Sequence, residues 1–141
     1  MNNKSRTDSY IPFAIDALKL SGIADKNEKI NSSYRGQISS FGAAVAVGSF
    51  KQAVAFFAQD AKDKQDEKNS KEKINRSKLI SAIEYVVNHG NGQIKDPKAI
   101  SEEILKKSTD ELRQLENQYM DAAVALKVAM SIYDMKSDKE E

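Results

Sequence analysis

The C-terminal third of the chain carries the pattern that most constrains the fold. Leu112, Leu115, Tyr119, Ala122, Leu126, Ala129 and Tyr133 recur at alternating intervals of three and four residues, the period of one helix face. Met120, Ala123, Val124, Val128, Ile132 and Met135 add a second apolar flank, and between Tyr119 and Tyr133 only Asp121, Lys127 and Ser131 are polar. Ser108-Thr109-Asp110-Glu111 opens the stretch as a capping box, in which hydroxyl and carboxylate satisfy each other's backbone N–H. A helix apolar on most of its sides is buried in a core or shared with a partner. The rest of the chain must supply helices that cover it.

The same period recurs upstream. Ile11, Ala14, Ile15 and Leu18 predict a first helix over Ser9 to Ser21, with Pro12 in its first turn and Gly22 as its stop. After a polar connection through Asn31, Ser32 and Ser33, a second helix is expected from Tyr34 to Val47. Ile38, Phe41 and Val45 form its face, Ser32 or Ser33 caps it, and Gly48 ends it. Ser49-Phe50-Lys51-Gln52 reads as a second capping box, followed by the stripe Phe50, Ala53, Val54, Phe57, Ala58 and Ala61. A fourth helix spans Ser77 to Asn88 through Leu79, Ile80, Ile83, Val86 and Val87. Pairing Tyr85-Val86-Val87 with Gln93-Ile94 across Asn91-Gly92 is the competing reading. It is set aside because the helical spacing begins before Tyr85. Asp96-Pro97 opens a fifth helix that runs to about Lys107. The expectation is all-α: a single helical domain over residues 1–141, built as one compact bundle of six helices.

Two segments fall outside the helices. Ten of the fourteen residues from Asp60 to Lys73 are charged, five of each sign. The first of these end the third helix, and about 62–73 reads as a solvated connector. Residues 136–141 read as a charged tail. The second helix has an odd composition: Gly36, Ser39, Ser40, Gly42 and Ala43 are all small. Glycine inside a helix costs about 1 kcal/mol relative to alanine, and close approach of another backbone is the usual compensation.

Composition narrows the function. Lys and Arg number 22 against 21 Asp and Glu, a net charge of +1, so any nucleic-acid contact must rest on a local basic patch or be shared with partner proteins. The absence of cysteine removes disulfides, thiolate metal sites and cysteine nucleophiles. No stretch approaches the roughly 18 consecutive apolar residues of a membrane span, and the first residues, Met1 to Arg6, lack the apolar run of a signal peptide. A cytoplasmic protein is expected.

Catalytic apparatus is not evident. His89, the one histidine, lies in the turn-like Asn88-His89-Gly90-Asn91-Gly92 with no orienting partner beside it. The acidic pairs Glu102-Glu103 and Asp110-Glu111 are assigned to first turns of helices, where they complement the dipole. Gly90-Asn91-Gly92 lacks the Gly-Lys-Ser/Thr ending of a phosphate loop. The chain reads as no enzyme, with neither cofactor nor metal.

Tyr34-Arg35-Gly36-Gln37-Ile38-Ser39-Ser40-Phe41-Gly42, then Gly48-Ser49-Phe50-Lys51-Gln52-Ala53-Val54-Ala55-Phe56, resembles the small-subunit family of type III-B CRISPR effectors, the RAMP-module complexes. Tyr34 and Arg35 match an aromatic followed by a basic residue. Gly48 matches the glycine that ends the helix, and Ala53 to Phe56 match an Ala-aliphatic-Ala-Phe signature. Tyr119-Met120-Asp121-Ala122-Ala123-Val124-Ala125-Leu126-Lys127 resembles the last helix of that family, and the order and number of helices agree. The charged connector departs from the pattern.

The resemblance implies a non-catalytic helical bundle. Its copies stack beside the backbone subunits and the large subunit, lining the channel that holds guide RNA and target RNA, in antiviral defence. Arg35, Lys51, Arg76, Lys78 and Lys127 are the expected RNA-facing cations, with Arg35 and Lys51 converging across the Gly48 turn. Isolated, the chain is expected to be a monomer or to self-associate weakly. The rival is a free-standing helical adaptor or DNA-binding regulator, which near-neutral charge disfavours.

Overall fold

The last helix is the axis on which the others are laid. The computed structural model describes residues 3–62 and 74–136, so the connector at 63–73 and the tail beyond Lys136 lie outside the described residues. Helix α6, Thr109–Ala129, buries Leu112, Tyr119, Ala122, Leu126 and Ala129. At 21 residues it is about 32 Å long. Its capping box is complete: Glu111 N–H donates to Ser108 Oγ at 3.2 Å, and Ser108 N–H donates to Glu111 Oε1 at 2.8 Å.

Helix α1, Asn3–Leu20, runs the same way along the C-terminal half of α6. Arg6 Nε donates to Asp121 Oδ2 at 2.7 Å near its start, and Tyr133 Oη donates to the Ile15 carbonyl at 3.0 Å further on. The Arg6 contact accounts for a start six residues before the expected Ser9, which leaves Pro12 in the interior of α1 rather than in its first turn. An interior proline costs about 3 kcal/mol. Burial of Tyr10 and the Arg6–Asp121 pair offset it.

Helix α2, Ser33–Val47, and helix α3, Phe50–Ala58, follow, with α3 ending in a 3-10 turn, Gln59–Lys62. The cap of α2 is corrected: Ser32 makes no side-chain cap bond, and Asn31 Oδ1 accepts from Ser33 N–H at 2.9 Å. Ser49 Oγ accepts from Gln52 N–H at 3.1 Å, as the capping pattern predicts. Helix α4, Ser77–Val87, is antiparallel to α1: its start meets Gly22 through Lys78, and His89 beyond its end meets Tyr10 and Phe13. Leu79, Ile80, Ile83 and Val86 are fully buried. Helix α5, Pro97–Leu105, is capped by Asp96, whose Oδ2 accepts from Ala99 N–H at 3.3 Å. The chain from Asn91 to Asp96 pairs with nothing as a strand, so the hairpin reading fails.

Six α-helices among the described residues bear out the all-α expectation. One element is unforeseen. Strand β1, Lys29–Asn31, pairs in parallel with β2, Asp134–Lys136, in the register Lys29↔Asp134, Ile30↔Met135 and Asn31↔Lys136. Accordingly α6 ends at Ala129, passes through a 3-10 turn, Met130–Ile132, and places Tyr133 off the helix. The core fills with Tyr10, Leu18, Phe41, Val54, Ile80 and Leu126, and edge-to-face rings lock α2 to α3 (Phe41–Phe57, 5.4 Å) and α3 to α6 (Phe50–Tyr119, 4.9 Å).

Candidate functional site

Four of the five expected cations gather at one end of the bundle. Tyr34, in the first turn of α2, is buried and accepts a hydrogen bond from Asn75 N–H at 3.0 Å, tying the start of α2 to the start of α4. Arg35 follows Tyr34 and is exposed. Arg76 and Lys78 flank the start of α4, with Lys78 Nζ 3.6 Å from where a Cβ on Gly22 would stand. Lys127 reaches the same end from the last turn of α6: its Nζ donates to Ser39 Oγ at 2.6 Å, and Ser39 Oγ donates to the Arg35 carbonyl at 3.4 Å.

Lys51 is the exception. It sits at the start of α3, next to the far end of α2, and its field acts on Glu111 at the start of α6. The twelve steps from Arg35 to Val47 rise about 18 Å along the helix. The convergence of Arg35 with Lys51 is therefore corrected: a tight turn at Gly48 joins the end of one helix to the start of the next, so the two starts lie apart.

The four cations differ in how far they are neutralised. Arg76 holds Asp60 with both arms, Nε to Oδ2 and Nη2 to Oδ1 at 3.0 Å each, and its guanidinium lies 4.9 Å from the Phe57 ring centre. Asp60 Oδ2 also accepts from Arg76 N–H at 3.0 Å, so this arginine closes the end of α3 onto the start of α4. Arg35, Lys78 and Lys127 have no carboxylate partner among the described residues. Beside them Lys136 Nζ is paired with Asp25 Oδ2 at 2.9 Å. The Lys29 and Asn27 N–H groups converge on Asp25 Oδ1. Its carboxyl is held below the ordinary range, chiefly by the Lys29 N–H and next by the Lys136 ammonium.

Two concavities bear on the site, one toward the far ends of α4 and α6 and one beside Lys127. One, of about 430 Å³, lies between α4, α5 and α6 and is lined by Glu84, Glu103, Lys107 and Glu111 among others. Two of its three carboxylates, Glu84 and Glu111, are occupied in holding the fold. Glu84 accepts from Tyr119 Oη at 2.5 Å and from Asn88 Nδ2 at 2.7 Å, and Lys95 stands 3.5 Å away. Burial, followed by the Glu84 charge, pushes the Tyr119 hydroxyl far above its ordinary range, so it remains a donor. Glu111 is spent on the Ser108 cap. No group of three His, Asp or Glu side chains placed to hold a metal occurs among the described residues.

The other concavity, of about 290 Å³, is an apolar groove between α2 and α6, lined by Ile38, Gly42, Ala43, Met120, Val124 and Lys127 among others. Sequence reasoning flagged its small residues without locating them. They face outward: Ser39, Ser40 and Ala43 are exposed, and nothing stands within 4 Å of a Cβ built on Gly36.

His89 takes the expected place after a helix. It adopts a left-handed φ of 56° and lies 5.7 Å from Tyr10 and 5.6 Å from Phe13 between ring centres. Asp110 and Glu111 fall in the first turn of α6 as expected. Glu102 and Glu103 do not fall in a first turn, because Asp96 and Pro97 start α5 five residues earlier.

The geometry defines a class: a small helical bundle with cations at one end that no carboxylate of the described residues pairs, and an open apolar groove leading to them. Residues 14–132 match the family CRISPR-associated protein (Cas_Cmr5), and the chain belongs to that family, the small-subunit family of the type III-B CRISPR effector complex. No curated protein and no solved structure matches the chain significantly. No helix of the described residues is long and apolar enough to cross a membrane.

Proposed function

We propose that the chain acts within the type III-B complex as a non-catalytic packing subunit, one helical domain over residues 1–141, whose cationic end faces the guide and target RNA. Copies lie along the backbone subunits, in the cytoplasm, in defence against foreign nucleic acid. One observation carries the reading: Arg35 and Lys78 stand at the same end of the bundle, and no carboxylate among the described residues neutralises either. Phosphate contact by such cations is sequence-independent, which suits a complex whose specificity comes from base pairing. Arg76 supports the patch from beneath as the ion-paired anchor of α4, and Lys51 lies outside it. Isolated, the chain is a monomer or weakly self-associating, because its stacking in the complex is templated by the other subunits.

The test is target-RNA retention by the assembled complex carrying Arg35→Glu with Lys78→Glu. The expected result is affinity at least tenfold weaker, with a salt dependence shallower by about two. Lys51→Glu is expected to change neither quantity. Unaltered affinity and salt slope in the double variant would overturn the reading.

A further inference from the structure

The link from α4 to α5 contains a reactive pair that neither the core nor the cationic end uses. Asn91-Gly92 is the one Asn-Gly step in the sequence, and both residues are exposed. Gly92 has a φ of +86°, with nothing within 4 Å of the place a Cβ would occupy. Among the described residues, nothing accepts a hydrogen bond from the Gly92 N–H and nothing holds the Asn91 side-chain amide. Asparagine is a chemically labile residue, and its characteristic reaction is attack by the next backbone nitrogen on its own amide carbon. That attack needs a nitrogen free to give up its proton and a following residue too small to obstruct ring closure.

Other asparagines are held differently. The N–H that follows Asn27 donates to the Asp25 carbonyl, the one after Asn31 to the Lys136 carbonyl, and the one after Asn88 to the Val86 carbonyl. The N–H after Asn75 donates to Asp60 Oδ2, and Asn117 lies inside α6, where its successor belongs to the helical ladder. In each of these cases the nitrogen must first break a hydrogen bond that the fold uses. Gly92 has none to break.

From this contrast we propose that Asn91 is a self-modifying site in the folded protein. The Gly92 nitrogen, losing its proton, bonds to Asn91 Cγ. The Cγ–Nδ2 bond breaks, and the amide nitrogen leaves as ammonia with that proton. The product is a five-membered succinimide ring, which water opens at either carbonyl. Opening at Cγ leaves aspartate, and opening at the main-chain carbonyl leaves isoaspartate, in which the chain runs through Cβ. The balance is amide plus water to carboxylate plus ammonium, so the formal net charge falls from +1 to zero. The new carboxylate stands beyond the end of α4, whereas Arg76 and Lys78 stand at its start. The steps from Lys78 to Val87 rise about 14 Å, beyond the ~8 Å screening length of physiological salt. The cationic end therefore keeps its field.

The experiment incubates the full chain in mildly alkaline buffer, folded and in parallel unfolded in urea, and follows it by ion exchange and peptide mapping. In the folded chain an acidic species modified at Asn91 is expected to accumulate, with isoaspartate and aspartate both present. Its rate is expected to lie within about tenfold of that in urea, a barrier difference of at most about 1.4 kcal/mol. Asn91→Gln, an exposed change that would require a six-membered ring, is expected to remove that species. An Asn91 amide that survives in the folded chain, faster conversion there at another asparagine, or an acidic species that persists in Asn91→Gln would each overturn the proposal. So would aspartate without isoaspartate, the product of direct hydrolysis by water rather than of attack by Gly92.

Discussion

At the scale of single residues, the informative positions are polar groups inside apolar surroundings. Asp121 interrupts the most apolar stretch of the chain, and its reason is Arg6, whose Nε lies 2.7 Å away with side-chain exposures of 18% and 11%. Removing one partner of a mostly buried pair leaves the other charge in a poor environment. Asp121→Ala is expected to cost about 3 kcal/mol in urea unfolding, with Asp121→Asn losing less because it keeps an acceptor. Tyr119 follows the same logic: the stripe predicts its burial, but only the fold shows that Glu84 receives its hydroxyl. The candidate cations were legible as residue types and no further. Nothing in the sequence separates Arg76, committed to Asp60 and Phe57, from Arg35, which no carboxylate neutralises among the described residues.

At the scale of elements, local chemistry predicted the starts that rest on neighbouring residues. The Ser108 box and the Asp96-Pro97 start depend only on side chains within three positions, so the sequence carries all of their physics. Ser108→Ala is expected to lower stability by about 1 kcal/mol, read from the urea midpoint. Starts and stops set by distant contacts were misplaced. α1 extends back to Asn3 because Arg6 finds Asp121 on α6, and α6 stops at Ala129 because Asp134–Lys136 is drawn into a sheet with Lys29–Asn31. In both cases tertiary contacts outweighed a sound local signal.

At the scale of the whole molecule, the small parallel sheet and the Lys136–Asp25 pair fasten the end of α6 to the loop after α1. This fastening is sensitive to acid. The Asp25 carboxyl lies below its ordinary range through the Lys29 N–H and Lys136, and the Glu111 carboxyl lies below its own through the Ser108 N–H. A carboxyl depressed in the folded state contributes stability above its unfolded value, near 4, and loses it as pH falls through the lowered folded value. Stability is therefore expected to hold at neutral pH and to decline below about pH 4. In Asp25→Asn the decline is expected to be shallower, as checked by urea midpoints across an acid series.

The sequence by itself determined that the chain is helical, where most helices lie, which faces are apolar, and which family it resembles. Helical period and capping are short-range, and an apolar stripe must be buried whatever covers it. Only the tertiary structure decided which cations share an end. It also decided that the small residues of α2 face outward beside α6, and that a strand follows the last helix. Each of these depends on residues far apart in the chain, such as Lys127 with Ser39, Tyr34 with Asn75, and Ile30 with Met135. No local pattern records such distances, because they are set by how six amphipathic helices share one core.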